Sequence, residues 1–260
     1  MILQDSYRNF LKCSLYFLLW GATCLTLSPV GAGAAPSVRN LSDQSTFSIN
    51  FKGNTFIVYP YGAVEERAVW KRPEWTPTGE KPIEVCWENI SDSSVILREA
   101  VKDSVSKTWQ HYSMVKFVGW NECKSGSPGI RIGISATESK TVFLGQKIAG
   151  ITNGMLLRMD YSAFKSCKDR NEYCVRATAV HEFGHALGLA HEQNRDDADS
   201  KDEDISWCIG NRKQGDFPDL MLTLYDPQSI MNYCNKAWNN KGLLSEKDIE
   251  AVSKLYGARA

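Results

Sequence analysis

The chain has 260 residues, of which 43% are hydrophobic and 23% are charged, and its formal net charge is zero at pH 7. This composition is typical of a globular protein with room for one large domain or two small ones. A neutral chain argues against a nucleic-acid binder that depends on a basic surface field.

The N-terminus has the pattern of a secretory signal peptide. Arg8 and Lys12 precede a mostly apolar run from Ser14 to Leu27, which is short for a bilayer span. Ala32-Gly33-Ala34 supplies the small residues of a cleavage site and delimits a signal peptide of residues 1–34. A membrane anchor is the alternative, but the short run and the small residues favour cleavage. We therefore expect a secreted protein, extracellular or periplasmic, without a stable membrane anchor.

Six cysteines follow the predicted signal peptide. An even number in an exported chain indicates disulfides, and the alternative of zinc-binding cysteines lacks a C-x-x-C pair. Several pairings are possible, and neighbourhood in the sequence favours three bridges: Cys86–Cys123, Cys167–Cys174 and Cys208–Cys234.

Residues 35–80 are rich in Ser, Asn, Thr, Gly and Pro, with strand-like pieces such as Thr55 to Tyr59. We interpret them as an N-terminal segment that precedes the main domain, with a pro-region as one interpretation. The main domain is expected to begin near Lys81 and to comprise residues 81–260.

Strand-like and helical stretches alternate after Lys81. Ile83–Trp87 has strand character, and Ser91–Tyr112 has apolar residues at mostly helical spacings. Gly145 and Gly150 mark loops around a further strand region. Three other strands are predicted at 115–120, 130–134 and 154–161. This order predicts an α+β fold in which helices pack on a mixed sheet.

One stretch beginning at His181 reads H-E-x-x-H-x-x-G-x-x-H-E and holds three of the four histidines. Residues four apart share one face of a helix, so His181 and His185 can bind one metal ion. Glu182 is offset by about 100° and can lie beside the metal within reach of a bound water. Gly188 permits a sharp turn that delivers His191 as a third ligand. Three protein ligands plus water form a catalytic zinc site.

The active-site helix is expected to start soon after Cys174 and to end near Leu189. The polar, acidic segment from Arg195 to Asp204 predicts a solvated loop. The last helix opens at Ser245, a good N-cap, with Asp248 three residues later completing a capping box.

The histidine motif resembles that of the metzincin clan of zinc endopeptidases. Its continuation, His191 to Asp199, resembles the astacin pattern H-E-x-x-R-x-D-R-D, with Ala198 in place of the second arginine. Ser229–Tyr233 resembles the family's Met-turn, S-x-M-H-Y, with Asn232 in place of histidine. The resemblance covers about half the chain.

This resemblance implies a metzincin-type fold of two subdomains. The upper one would hold a mixed five-stranded sheet and the active-site helix above a zinc cleft. The lower one would be irregular except for a C-terminal helix. An antiparallel edge strand would line the cleft and bind extended peptides by main-chain hydrogen bonds. We expect protein or peptide substrates, no nucleic-acid partner and a monomer.

The resemblance also implies roles for single residues. Glu182 would be the general base, and Met231 would form a hydrophobic floor under the zinc ligands. In astacins a tyrosine at the place of Tyr233 is a fifth zinc ligand in the resting enzyme. It then moves to hydrogen-bond the oxyanion of the tetrahedral intermediate. A buried tyrosine that only packs the Met-turn is the alternative. The astacin glutamate that matches Glu192 lies near the mature N-terminus, which suggests a structural salt bridge there.

Phe51-Lys52-Gly53-Asn54 resembles the F-x-G-D motif of astacin pro-peptides, in which the aspartate caps the zinc. Asn54 is a neutral and weaker ligand than aspartate. A turn before a strand is the alternative interpretation of this segment.

The sequence thus predicts a secreted zinc-dependent endopeptidase with a glutamate general base and Zn²⁺ as cofactor. One alternative is a catalytically inert metzincin-like binding protein or adhesin that uses the same cleft. Another is a structural zinc protein. Loss of the glutamate would indicate the first alternative, yet Glu182 is present. Structural sites are usually closed by four ligands and rich in cysteine.

Overall fold

The computed structural model describes a large part of the chain after the predicted signal peptide: residues 47–51, 54–58, 68–70, 79–211, 215 and 221–259. The signal peptide, its cleavage site and most of the 35–80 segment lie outside these residues. Within the described part, no helix is long and apolar enough to cross a membrane.

The first described elements along the chain are β1 (Phe47–Phe51) and β2 (Asn54–Val58), which form a two-stranded antiparallel sheet. Phe51 pairs with Asn54, so Asn54 opens the second strand. The two residues between them, Lys52 and Gly53, lie outside the described residues.

A mixed five-stranded sheet follows, as predicted for the fold class. Its order is β4-β3-β5-β7-β6, with parallel neighbours except for the antiparallel pair β6 and β7. The strands are β3 (Lys81–Trp87), β4 (Val115–Glu122), β5 (Ile130–Ser135), β6 (Lys140–Thr141) and β7 (Met155–Arg158).

The edge strand β6 is the strand that the sequence located least well. The prediction put a further strand region around Gly145 and Gly150, but Gly145–Ile148 forms a 3₁₀ helix and β6 lies before it. Lys140 and Thr141 pair with β7. A strand of two residues is too short to show the alternation of side chains by which strands are recognised.

Five helices complete the described fold: α1 (Val95–Lys107), α2 (Trp109–Tyr112), α3 (Asn171–Ala186), α4 (Glu203–Asn211) and α5 (Glu246–Tyr256). The single helix predicted from Ser91 to Tyr112 is interrupted at Thr108, whose φ of −114° and ψ of −100° are not helical. The predicted solvated loop from Arg195 to Asp204 is wrong at both ends. Arg195 is only 2% exposed, and α4 begins at Glu203.

Helix α3 lies in the centre of the main core. Its residues from Ala177 to Ala186 are all buried. Small and apolar side chains of the helix itself face most directions around its axis, as is typical of a helix enclosed in a core. The Phe183 ring contacts that of Phe117 edge-on, with centroids 4.9 Å apart. The indole N–H of Trp109 donates to the carbonyl of Val180 at 2.7 Å, which joins the start of α2 to α3.

The end of α3 is held by Trp70, which precedes Lys81, and by Tyr256 at the end of α5. Trp70 is buried, and its indole N–H donates to the carbonyl of Ala186 at 2.7 Å. The hydroxyl of Tyr256 donates to the carbonyl of Leu187 at 2.7 Å. The packed domain therefore includes residues upstream of the boundary that we expected near Lys81.

The three disulfides predicted from neighbourhood in the sequence are confirmed. Each joins cysteines whose Cα atoms lie 5.0 to 6.0 Å apart. One links β3 to the residue that follows β4, one closes the loop that enters α3, and one links α4 to the segment after the Met-turn. They are Cys86–Cys123, Cys167–Cys174 and Cys208–Cys234.

The capping box predicted for the last helix is also confirmed. The Ser245 hydroxyl oxygen accepts the backbone N–H of Asp248 at 3.0 Å, and Asp248 accepts the N–H of Ser245 at 2.9 Å. The helix ends at Gly257, whose φ is +84°.

Candidate zinc and catalytic site

Helix α3 carries His181 and His185, and the turn after its C-terminus directs His191 towards them. Gly188 has φ of +99°, which glycine adopts without strain. Its N–H donates to the carbonyl of His185 at 2.9 Å, and the N–H of Leu189 donates to that of Gly184 at 3.0 Å. These two bonds form a Schellman motif. The chain therefore reverses sharply enough to bring His191 back towards the helix.

The three histidines form one buried cluster. One ring nitrogen of each of His181, His185 and His191 lies within 4.8 Å of the others. The Nε2 atoms of His185 and His191 are 3.1 Å apart. Two nitrogens bound tetrahedrally to one zinc ion, each at about 2.1 Å, would be roughly 3.4 Å apart. The cluster therefore has the donor type, number and spacing of a zinc site.

Backbone carbonyls orient two of these rings. The Nδ1–H of His181 donates to the carbonyl of Ile230, and that of His185 donates to the carbonyl of Leu189, both at 2.8 Å. These bonds leave each Nε2 with a lone pair. In the described part of the chain, His181 Nε2 is one of two buried side-chain polar atoms without a hydrogen-bond partner. A metal ion would satisfy it.

Burial also keeps the histidines in the form that binds metal. It lowers the pKa of His181 to about 3, and the neighbouring His191 adds to the effect. Burial likewise holds the pKa of His185 well below its usual value. A neutral imidazole is the form that ligates zinc.

Glu182 lies beside this cluster with its carboxylate buried. The side chain is on the helix that carries His181 and His185, and the residue is 3% exposed. Burial raises the pKa of Glu182 to about 8, against the opposing effect of hydrogen bonds from Thr141. A bound cation would favour the charged carboxylate and act in the opposite direction to burial.

Met231 packs directly against the backbone of the active-site helix. A Cβ atom placed on Gly184 would lie 2.3 Å from Met231 Sδ and 3.1 Å from the ring of Trp109. Gly184 lies between His181 and His185 in the sequence. Its missing side chain therefore creates the space that the methionine fills against the helix.

We expect Gly184→Ala to lower the free energy of unfolding by about 1–3 kcal/mol, because an added methyl group overpacks this contact. Denaturant unfolding measures the effect. Gly210→Ala is the matched control: Gly210 is in α4, and nothing lies within 4 Å of the place that a Cβ atom would occupy there. Its stability should stay the same or rise by up to about 1 kcal/mol. Equal stability of the two variants would show that Met231 is not packed closely on Gly184.

Asp248 anchors the Met-turn from the last helix. It is 5% exposed, and it accepts the hydroxyl of Ser229 at 2.6 Å and the N–H of Ile230 at 2.9 Å. The carbonyl of the same Ile230 accepts from His181. The sequence identified Asp248 only as a capping residue. Its link to a zinc ligand was missed, because that link exists only once α5 packs against the Met-turn.

The two residues after Met231 have different environments. The Asn232 amide donates to the hydroxyl of Tyr225 at 3.0 Å and to the carbonyl of Asp226 at 3.1 Å, so asparagine is well satisfied at this position. The Tyr233 ring stacks on that of His181, with centroids 5.0 Å apart, and is 37% exposed. Burial raises the pKa of Tyr233, which keeps its hydroxyl a donor.

Glu192 lies in a buried charged cluster beside the Met-turn. It accepts the N–H of Asp226 at 2.8 Å and lies 3.4 Å from the guanidinium of Arg195, which also pairs with Asp197 at 2.7 Å. Burial raises the pKa of Glu192 to about 7, and Arg195 opposes this shift. A salt bridge from Glu192 to a mature N-terminus stays a prediction.

Comparisons with known proteins agree with this geometry. Residues 169–259 match the family model Astacin, which describes the astacin family of peptidases. The zinc metalloproteinase nas-25 of Caenorhabditis elegans is 29% identical over 158 residues, which cover 58% of this chain and 36% of the relative. The chain thus spans about a third of the length of this curated relative.

The solved structure of myroilysin is similar in fold. Myroilysin has a TM-score of 0.51 and 21% identity, covering 76% of this chain and 99% of that chain. High choriolytic enzyme 1, a hatching enzyme zinc-protease of Oryzias latipes (medaka fish), has a TM-score of 0.48 and 20% identity, covering 75% and 97%.

The family match includes the segments that build the site. It starts just before α3 and extends through the three histidines, the Met-turn and the last helix. The histidine cluster has the geometry that a zinc ion requires. Residues 169–259 are therefore similar to the astacin family of peptidases, and they carry a three-histidine cluster at the end of the central helix with the geometry of a zinc site.

Proposed function

We propose that this chain is a secreted zinc-dependent endopeptidase, in which Glu182 is the general base. The observation that carries this proposal is the buried carboxylate of Glu182 beside three buried histidines, with their ring nitrogens clustered around one point. The similarity of residues 169–259 to the astacin peptidase family supports the same activity.

Each residue of the site has a separate role in the proposed hydrolysis of a peptide bond. A zinc ion bound by the three histidines would polarise the scissile carbonyl and lower the pKa of water to about 7. Glu182 accepts a proton from the attacking water and passes it to the leaving amine. The Tyr233 hydroxyl donates a hydrogen bond to the negative charge that develops on the carbonyl oxygen as the water attacks the carbonyl carbon. Met231 supports the histidines from below by packing on Gly184.

The sheet offers a place for an extended substrate. Strand β6 ends the order of the described sheet and pairs with β7 on one side only. An edge strand can accept a peptide by main-chain hydrogen bonds, which do not depend on the peptide's sequence. Thr141 on this strand hydrogen-bonds Glu182, so a peptide bound there would pass close to the general base. Proteins and peptides are therefore the proposed substrates.

The proposed location rests on the cysteines and on the N-terminal sequence. Three disulfides in a domain of this size suit an oxidising compartment, outside the cell or in a periplasm. We take residues 1–34 as a cleaved signal, 35–80 as an N-terminal segment with a possible pro-region and 81–260 as the catalytic domain, on which Trp70 of the preceding segment packs. We also propose a monomer without nucleic-acid partners.

An inert binding protein or adhesin that uses the same cleft is the alternative function. The intact set of Glu182, Tyr233 and the three histidines favours the peptidase, because binding alone requires no general base. A structural zinc protein is less consistent with the site. In the part of the chain that the structure describes, the three histidines are the one cluster of His, Cys, Asp or Glu side chains placed to hold a metal ion, and no fourth residue of these types joins it.

We expect the purified protein to bind about one zinc ion per chain and to cleave an unfolded protein, since three protein ligands leave a position for water. A chelator should abolish cleavage, and added zinc should restore it. His185→Ala should lose both metal and activity. The control is His111→Ala, which changes an exposed histidine in α2 and should alter neither. A folded, zinc-loaded wild-type protein that cleaves no peptide would favour the binding protein.

A further inference from the structure

The contact between the edge strand and Glu182 has a specific geometry. Thr141 is the second residue of β6, and its Oγ1 lies 2.9 Å from Glu182 Oε2 and 3.1 Å from the backbone carbonyl oxygen of Glu182. A hydroxyl has one hydrogen to donate and can move between these two acceptors. Both acceptors belong to one residue of α3, so this threonine is fixed relative to the helix that carries the zinc ligands.

Thr141 supplies the hydrogen bonds that the structure gives to this carboxylate. Among the described residues, this carboxylate receives a hydrogen bond from the Thr141 hydroxyl, at 2.9 Å from Oε2, and a further one from the backbone of the same residue. The carboxylate is buried, and a buried charged oxygen without a donor is costly. The Oε2 atom is therefore held by the edge strand.

We propose that Thr141 is a positioning residue for catalysis. Its hydroxyl holds Oε2 of Glu182, so that Oε1 faces the water that attacks the peptide. The contact connects the strand that would bind the substrate to the general base that would activate the water. The expected effect on catalysis rests on the proposed function. The hydrogen bond between Thr141 and Glu182 does not depend on any activity.

Two substitutions of Thr141 distinguish the effect of losing its hydroxyl from the effect of changing the shape of its side chain. Thr141→Val keeps both branches at Cβ and removes the hydroxyl, whereas Thr141→Ser keeps the hydroxyl and removes a methyl group. We expect Thr141→Val to lower kcat between about tenfold and a hundredfold, since a hydrogen bond to a charged group is lost. KM, zinc content and the melting temperature should stay close to wild type. Thr141→Ser should keep most of the wild-type kcat.

A matched control tests the same substitution elsewhere in the core. Thr178 is on α3, is 6% exposed, and has a hydroxyl without a hydrogen-bond partner among the described residues. Thr178→Val should leave kcat unchanged. In a Glu182→Gln background, Thr141→Val should cause no further fall in kcat, because the group that it positions no longer accepts a proton.

Crystal structures of the zinc-loaded variants test the positioning without an activity assay. The Glu182 carboxylate should rotate away from its wild-type position in Thr141→Val and keep that position in Thr141→Ser. If the wild-type protein cleaves no substrate, the proposed function fails, and these structures still decide the role of Thr141. An unmoved carboxylate in Thr141→Val would overturn the proposal. The proposal would also be overturned if Thr141→Ser and Thr141→Val lowered kcat by the same factor and lowered the melting temperature as well.

Discussion

Glu182→Gln is expected to lower kcat by about 10²–10⁴-fold while the protein still binds about one zinc ion per chain. Glutamine has nearly the size of glutamate, and its amide oxygen can still accept the hydroxyl of Thr141. It cannot take the proton of the attacking water. The three histidines make up the metal-binding cluster without Glu182, so metal content should not change.

This prediction is measured by kcat together with the zinc content of the same preparation. The matched control is Glu84→Gln, which alters an exposed glutamate on β3 and should have wild-type kcat. Glu182→Ala should be as inactive as the glutamine variant and should also keep its zinc. A glutamine variant with a near-wild-type rate would show that another group accepts the proton.

Tyr233→Phe is expected to lower kcat by about 10²–10³-fold with little change in KM, because it removes one donor to the oxyanion. The aromatic ring remains, so its contacts with the rings of His181 and His191, at centroid distances of 5.0 and 4.3 Å, should persist. Zinc content and stability should therefore stay close to wild type. A purely packing tyrosine would tolerate the loss of its hydroxyl.

Steady-state kinetics of Tyr233→Phe decide between these roles. The control is Tyr112→Phe in α2, which removes the hydroxyl of a tyrosine that is also 37% exposed. That variant should match wild type in kcat. If Tyr233→Phe also matches wild type, Tyr233 only packs the Met-turn, and no tyrosine hydroxyl is needed at the oxyanion. A loss of zinc in Tyr233→Phe would instead indicate a role in metal binding.

The sequence predicted the features that depend on neighbours along the chain. The helical repeat places His181 and His185 on one face, and the glycine at 188 permits the turn to His191. The capping box of α5 spans only Ser245 to Asp248 and was found for the same reason. These patterns are local, so they could be recognised before any packing was known.

The sequence was less informative where a short element depends on its partner. Strand β6 has two residues and exists because β7 pairs with it. The acidic segment after His191 was interpreted as solvated on composition, yet Arg195 is buried between Glu192 and Asp197. Ion pairs of this kind depend on which charges the fold encloses, and composition alone does not determine them.

The sequence by itself predicted the candidate metal ligands, the candidate general base and the fold class from spacing or a motif, and neighbourhood along the chain favoured the disulfide pairs. Only the tertiary structure decided what holds these groups in place. Thr141 reaches Glu182 from β6, Asp248 reaches the carbonyl partner of His181 through Ile230, and Met231 fills the space left by Gly184. These contacts join residues that are distant in the sequence, and they arise from side-chain packing between elements, which leaves no periodic signal along the chain.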